Sequence, residues 1–245
     1  MTIEEKYNII YKGKERFYKI SLTDNKRTDL EKTRPENSIV EDKEFDDNSW
    51  GGLLVSVTKY LLERKYITIE QLFSFTTTWY DKTLYSDYEL TNFRAVCDNL
   101  YVNGNLGSVR TYWLICDVLY YSGVQLSDCS MLIKRYGVAE PDEVKEYVMK
   151  NNLEIFHKYL ADKGMDNDRI VKYERNIKAI DDILRNYTNS KTAYSILLID
   201  FNRLLYDVKK DLLGTFKKRL NEAQCNFASS IINDYYVCMT KYWKK

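Results

Sequence analysis

The stretch that decides the fold class is DNDRIVKYERNIKAIDDILRNY, residues 166–187. Its apolar side chains recur at spacings of three and four, at Ile170, Tyr173, Ile177, Ile180, Leu184 and Tyr187. Because an α-helix repeats about every 3.6 residues, this spacing lines one helix face with apolar side chains that pack on a neighbour. The sequence therefore predicts one amphipathic helix over residues 166–187.

Similar patterns flank this helix. The spacing resumes after a polar break at 188–190 and continues through residues 194–227. Pro141, Asp142 and Glu143 predict the start of a helix that runs to about Lys163, because proline suits the first helical position and carboxylates favour the positive helix end. We therefore predict a mainly α (α+β) fold, in which a small N-terminal α/β module precedes a bundle of three or four long helices. The predicted domains are residues 1–138 and 139–245.

The N-terminal module mixes short helices and strands. The apolar runs on either side of Gly13 predict a β-hairpin, and the polar residues 24–48 predict an exposed loop. Asn48 or Ser49 caps a predicted helix in SWGGLLVSVTKYLLERKY, and IEQLFSF predicts a shorter one. A small strand pair is expected in TTTWYDKTLYSDYEL and NLYVNGNLG, before a helix that begins at Gly107 or Ser108 and ends at Gly123.

Composition excludes several classes of protein. The 37 Lys and Arg residues against 36 Asp and Glu leave a net charge of +1, so a nucleic acid or membrane surface would need a local basic patch. No apolar stretch reaches the roughly 18 residues of a membrane span, so no membrane partner is predicted. Five cysteines without a CxxC pair indicate reduced thiols. Together with a first segment that lacks signal-peptide character, they predict a cytoplasmic protein.

No catalytic motif is recognisable. The chain has one histidine and none of the glycine-rich or nucleophile motifs of nucleotide-binding proteins and hydrolases. The sequence therefore predicts no catalytic residues, no metal ligands and no cofactor. A metal-dependent nuclease assembled from scattered carboxylates leaves almost no spacing signature, so it stays open as an alternative.

Two groups of residues are candidates for binding. Residues 141–245 hold 19 basic against 15 acidic side chains, and a basic helix face there could meet phosphates or an acidic protein. Its candidate residues are Lys209, Lys210, Lys217, Lys218 and Arg219. The second group is a polar and aromatic turn before a helix N-terminus, where unpaired backbone N–H groups could bind an anion. Its residues are Tyr101, Asn103, Asn105 and Arg110.

Residues 127–150 have the spacing of a helix-turn-helix, with a turn at Gly137 and Val138. The second helix would carry Asp142, Glu143 and Glu146, which repel DNA phosphates. A plain helix-helix corner is therefore favoured, and nucleic-acid binding through this corner or the C-terminal basic face is the alternative function.

Residues 45–128 resemble a small α/β module attached to bacterial restriction and phage-defence proteins. The resemblance rests on DDNSWGGLLVSVTKYLLE, TTTWYD and LYVNGNLGSVRTYWLICDVLYYSGVQLSD. It implies an accessory or recognition role. The sequence thus predicts a non-catalytic interaction protein that binds another macromolecule in bacterial defence or in phage or mobile-element counter-defence. A protein partner is expected first and nucleic acid second, and the amphipathic C-terminal helices could support a homo-oligomer.

Overall fold

The structure is a computed structural model that describes residues 1–12, 15–23, 30–31, 33–80, 82–135, 140–187, 197 and 230–239. The elements in chain order are α1 (Ile3–Tyr7), β1 (Ile9–Lys12), β2 (Glu15–Ser21), β3 (Thr33–Val40), β4 (Lys43–Phe45), α2 (Trp50–Glu63), α3 (Ile69–Phe73), β5 (Tyr85–Ser86), β6 (Phe93–Cys97), β7 (Leu100–Asn103), α4 (Gly107–Tyr121), β8 (Cys129–Arg135), α5 (Asp142–Asp162) and α6 (Asn167–Tyr187). Residues 230–239 are also helical.

The chain divides into two units. The first comprises Met1–Ile3, Tyr11–Arg16 and Tyr136–Lys245, and the second comprises Glu4–Ile10 and Phe17–Arg135. The domain boundary expected between residues 138 and 139 falls in the segment 136–139, outside the described residues, and stays a prediction.

A five-stranded sheet has the strand order β1-β2-β8-β3-β4, and its strands β8, β3 and β4 belong wholly to the second unit. Its middle strand, β8, runs antiparallel to both β2 and β3. The side chains of Cys129, Met131 and Ile133 are buried in alternation with more exposed neighbours, as a strand with one covered face requires. The register of β3 shifts between Pro35 and Asn37, where proline cannot donate a ladder hydrogen bond.

The mainly α fold class with a C-terminal bundle of three or four helices is wrong. The chain has a mixed α/β fold, with this antiparallel sheet and a second, three-stranded sheet. Residues 33–45, expected in an exposed loop, supply β3 and β4. Residues 129–135 form a strand, so the first helix of the helix-turn-helix corner is absent, and its turn at Gly137 lies outside the described residues. The physical reason is that Cys129, Met131 and Ile133 recur at a spacing of two, which is the period of a strand and not of a helix.

The helices of the second unit follow the sequence signals. The Ser49 hydroxyl accepts a hydrogen bond from the Gly52 N–H at 3.1 Å and caps α2, as expected. The Trp50 indole then donates to the Thr33 carbonyl at 2.9 Å, which anchors the start of α2 to β3. α3 and α4 also form where the sequence predicts them. Gly123, just after α4, has a φ of +83°, a value that favours glycine.

The three-stranded sheet has the order β5-β7-β6. Arg94 on β6 lies against two glycines, one at the start of α2 and one after β7. A Cβ atom on Gly51 would come within 2.7 Å of the Arg94 side chain, and one on Gly104 within 2.6 Å. A Cβ atom on Gly51 would also lie 3.0 Å from the Gly104 carbonyl oxygen, so the end of β7 lies close to the start of α2.

α5 and α6 form the best-described part of the first unit. α6 confirms the helix predicted over residues 166–187. The two helices share an apolar core with the helical segment 230–239. Asn152 donates to the Leu197 carbonyl at 2.8 Å, and the Leu197 N–H donates to the Asp181 carboxylate at 3.2 Å. The remaining residues of the predicted pattern over 194–227 lie outside the described residues.

Candidate functional site

The end of β7 positions the predicted loop residues. Leu100 and Val102 are buried, so strand alternation places Tyr101 and Asn103 on the opposite, half-buried face. Asn105 is exposed in the following loop, and Arg110 is exposed in the first turns of α4. The four candidates therefore lie on one continuous segment that joins a strand to a helix.

Tyr80 brings two of these candidates together. The Asn103 side-chain amide donates to the Tyr80 hydroxyl at 3.1 Å. The Arg110 guanidinium lies 5.9 Å from the centroid of the Tyr80 ring, within the range of a cation–π contact. The Asn105 N–H donates to the Asn103 side-chain oxygen at 3.1 Å, so the Asn103 amide is held at both ends.

A tryptophan pair extends this arrangement. The Trp79 ring centroid is 5.9 Å from that of Tyr80 and 5.6 Å from that of Trp113, which it meets edge to face. The Trp79 indole N–H donates to the Asp117 carboxylate at 2.6 Å. All three aromatic side chains are half-buried. We call Trp79, Tyr80, Asn103, Arg110, Trp113 and Asp117 the Tyr80 surface.

Sequence reasoning found part of this surface. Asn103 and Arg110 meet at Tyr80, whereas Tyr101 pairs with β5 and β6 through its backbone, and its side chain makes no hydrogen bond or ring contact with a described residue. Trp79 and Tyr80 were assigned to a strand region and their contacts were missed. The only available signal was the adjacent pair of large aromatic residues in TTTWYD.

The anion-binding interpretation of the loop is weakened by one contact. That interpretation needs unpaired backbone N–H groups before α4, but the Asn105 N–H already donates to Asn103. No side chain caps α4, whose N-cap residue is Leu106. The geometry here is better suited to contacts made by side chains than to an anion held by the backbone.

A second candidate site, which sequence reasoning missed, lies between α5 and α6. The His157 Nδ1 atom is 2.9 Å from the Glu174 carboxylate. This pair borders an open cleft with a volume of about 380 Å³. The cleft is lined by Lys150, Leu153, Glu154, His157, Lys158, Glu174 and Lys178. We call it the α5–α6 cleft. The histidine thus has a carboxylate partner rather than a cysteine.

The other predicted features have different outcomes. The basic residues Lys209, Lys210, Lys217, Lys218 and Arg219 lie outside the described residues, so their grouping stays a prediction. Across the part of the chain that the structure describes, no cluster of three or more His, Cys, Asp or Glu residues is arranged to hold a metal ion. Cys129 and Cys238 are buried, and burial raises the pKa of both thiols, that of Cys238 to about 12.

In the same described ranges, no helix combines the length and apolar character needed to cross a membrane. No family model, curated protein or solved structure matches the chain. The resemblance of residues 45–128 to a module of bacterial defence proteins therefore stays a prediction.

Proposed function

We propose that this chain is a non-catalytic interaction protein that binds a protein partner through the Tyr80 surface. The observation that carries the proposal is a contiguous set of Trp79, Tyr80, Trp113 and Arg110 side chains, which contact one another and polar neighbours at the distances given above. Trp, Tyr and Arg are the residue types that contribute most to the affinity of protein interfaces.

Preorganisation supports this function. Trp79 is tied to Asp117 and Tyr80 to Asn103, so these large side chains already occupy defined positions before a partner arrives. A side chain that is already ordered loses less conformational entropy on binding. The half-buried rings can still offer an apolar face to a partner, while Arg110 and the exposed Asn105 supply polar contacts at the edge.

Charge favours a protein over a nucleic acid at this surface. Arg110 is its one basic residue and Asp117 its one acidic residue, so the surface has no net charge to attract phosphates. Nucleic-acid binding through the C-terminal basic residues remains the alternative, and a steep loss of affinity for duplex DNA with rising salt would support it. Residues 45–128 contain the whole Tyr80 surface, so the proposed setting is bacterial defence or mobile-element counter-defence, in the cytoplasm.

The test compares proteins that co-purify with the wild type and with Arg110→Glu, measured by quantitative mass spectrometry. Arg110→Glu should reduce recovery of the partner about tenfold or more, because it reverses the charge beside the aromatic rings and removes the cation–π contact with Tyr80. Lys59→Glu is the matched control, because Lys59 is an exposed residue of α2 in the same unit and makes the same change of charge. Circular dichroism checks that both variants fold.

Equal recovery with both variants would contradict the proposal. The proposal would also be contradicted if the partner were another copy of this chain and bound equally well to both variants. Light scattering of the purified protein would detect such self-association. Binding of duplex DNA that weakens steeply with rising salt, with equal recovery of the protein partner from both variants, would favour the nucleic-acid alternative.

A further inference from the structure

The α5–α6 cleft collects charged side chains from two helices. Lys150, Glu154, His157 and Lys158 follow one another at helical spacing along α5, and Glu174 and Lys178 are four residues apart on α6. Residues three or four apart lie on the same face of a helix, so each set faces the cleft as a group. The two helices are joined by residues 163–166 and pack on the same core.

The carboxylates of the cleft are already engaged. Glu174 lies 2.9 Å from the His157 ring nitrogen, and Glu154 lies 4.0 Å from the Lys150 ammonium group. In contrast, the side chains of Lys158 and Lys178 have no hydrogen bond or ion pair with any residue that the structure describes. Two lysines on facing helices thus border the same cleft without a neutralising partner.

We propose that the α5–α6 cleft binds a small organic phosphate, with the phosphoryl group held by Lys158, Lys178 and His157. Lysine ammonium groups bind phosphate oxygens as compact positive charges. Three lysines and two glutamates give the cleft a charge of +1 with a neutral histidine and +2 with a protonated one. The protonated state therefore matches a phosphate dianion.

Size and lining support an organic phosphate over the free ion. A volume of about 380 Å³ falls in the range of small-molecule sites, which runs from about 300 to about 1,000 Å³. The Leu153 side chain and the methylene groups of the lysines can contact an apolar group attached to the phosphate. Inorganic phosphate would leave this part of the lining unused.

His157 couples the site to protons. Because a carboxylate only accepts hydrogen bonds, Nδ1 donates to Glu174 and carries the proton of the neutral ring. The other nitrogen, Nε2, has no hydrogen bond to a described residue, and it becomes a donor only in the imidazolium form. The charged groups that face it are Glu174 and Lys178 on α6 and Lys150, Glu154 and Lys158 on α5. A phosphate oxygen can therefore accept a hydrogen bond from Nε2 only when the ring is an imidazolium.

The experiment uses the fact that His157 is the only histidine of the chain, so its imidazole NMR signals need no assignment. The labelled full-length protein is titrated with inorganic phosphate and with phenyl phosphate, with chloride at matched ionic strength as the baseline. Both phosphates should shift the imidazole signals in a saturable way, and phenyl phosphate should bind more tightly.

Paired substitutions test the lysines. Lys158→Met with Lys178→Met should weaken phenyl phosphate binding about tenfold or more, since charged hydrogen bonds are lost while the aliphatic stems remain. Lys172→Met with Arg175→Met removes two exposed positive charges from α6 outside the cleft and should leave the affinity within about twofold. Circular dichroism confirms the folding of both double variants.

Three outcomes would overturn the proposal. Imidazole signals that do not respond to either phosphate would exclude a phosphoryl group beside His157. The same response in both double variants would mean that general charge, and not the cleft, attracts the anion. Tighter binding of inorganic phosphate than of phenyl phosphate would exclude an organic ligand.

Discussion

At the scale of single residues, Ile177 is the apolar side chain on which the first unit most visibly depends. It is fully buried at the centre of the α6 repeat and belongs to the core that α6 shares with α5 and residues 230–239. The spacing alone predicts this burial, because a residue at the centre of the apolar face of an amphipathic helix is covered by whichever element packs on that face.

Ile177→Ala should lower the free energy of unfolding by about 2 to 5 kcal/mol, through lost apolar burial and the cavity left behind. Arg175→Ala, at an exposed position on the same helix, should cost less than about 0.5 kcal/mol. Chemical denaturation of the wild type and both variants measures the difference. Equal midpoints for the two variants would mean that α6 is not packed through Ile177.

Tyr60 shows how a hydroxyl joins α2 to the turn between β3 and β4. Its hydroxyl donates to the Glu41 carboxylate at 2.8 Å, and the Arg64 guanidinium lies 5.4 Å from its ring centroid. Burial, followed by the hydrogen bond and the charge of Glu41, raises the pKa of Tyr60 to about 12. The folded protein therefore holds this proton more tightly than the unfolded chain.

Tyr60→Phe should cost about 0.5 to 1.5 kcal/mol near neutral pH, because the hydrogen bond to Glu41 is lost. The raised pKa contributes stability that is complete below about pH 10 and is lost as the pH rises through about 12. The wild type should therefore lose more stability than Tyr60→Phe over this interval. Denaturation midpoints at several alkaline pH values test this, and parallel curves for the two proteins would contradict it.

At the scale of elements, helix ends were the most predictable features. Ser49 and the proline, aspartate and glutamate that begin at residue 141 mark their helices correctly, because capping depends on residues next to each other in the chain. Strands β3 and β8 were missed, because their stability comes from pairing between residues about a hundred positions apart. In addition, β3 buries polar residues, so apolar and polar residues do not alternate clearly along its sequence. Asn37 is one of these, and its side chain donates to Glu44 and Asp46.

The cap of α2 gives a test at this scale. Ser49→Ala should lower the free energy of unfolding by about 1 kcal/mol, since the Gly52 N–H loses its acceptor. Ser127→Ala is the matched control, because this exposed serine bonds only to the neighbouring Asp128 side chain. It should change stability by less than about 0.5 kcal/mol. A loss no larger for Ser49→Ala than for the control would show that this hydroxyl does not stabilise α2.

In the two candidate sites, too, contacts between residues close in the chain can be predicted from the sequence, and contacts between distant residues cannot. Asn103, Asn105 and Arg110 could be grouped from the sequence because they are close in the chain. Tyr80 is 23 residues from Asn103, and His157 is 17 residues from Glu174. No pattern within a short stretch of sequence predicts either contact. Both depend on tertiary packing of separate elements.

At the scale of the whole molecule, the residues that the structure describes form one candidate site in each unit. The Tyr80 surface belongs to the second unit and the α5–α6 cleft to the first. Each is built from residues of its own unit, so a variant in one site should leave binding at the other unchanged. The two proposals can therefore fail separately.

Thiol labelling reports on the packing of both units in one experiment. Cys97 is exposed, whereas Cys116, Cys129 and Cys238 are buried. Cys97 should react with iodoacetamide in the native protein, and the other three only after unfolding, because burial blocks access and, for Cys129 and Cys238, raises the thiol pKa. Peptide mass spectrometry with and without denaturant measures each rate. Native labelling of Cys129 or Cys238 as fast as that of Cys97 would contradict the packing described.

The most direct measurement of the proposed function is photo-crosslinking from single positions in cells. A photoreactive residue is placed at Asn105, which is exposed beside the Tyr80 surface, or at Lys59, an exposed residue of α2 that is not part of that surface. If a partner binds at the Tyr80 surface, a discrete protein should be attached at position 105 and not at position 59, and Arg110→Glu should abolish the attachment. No attachment at position 105, or equal attachment at both positions, would contradict binding through this surface.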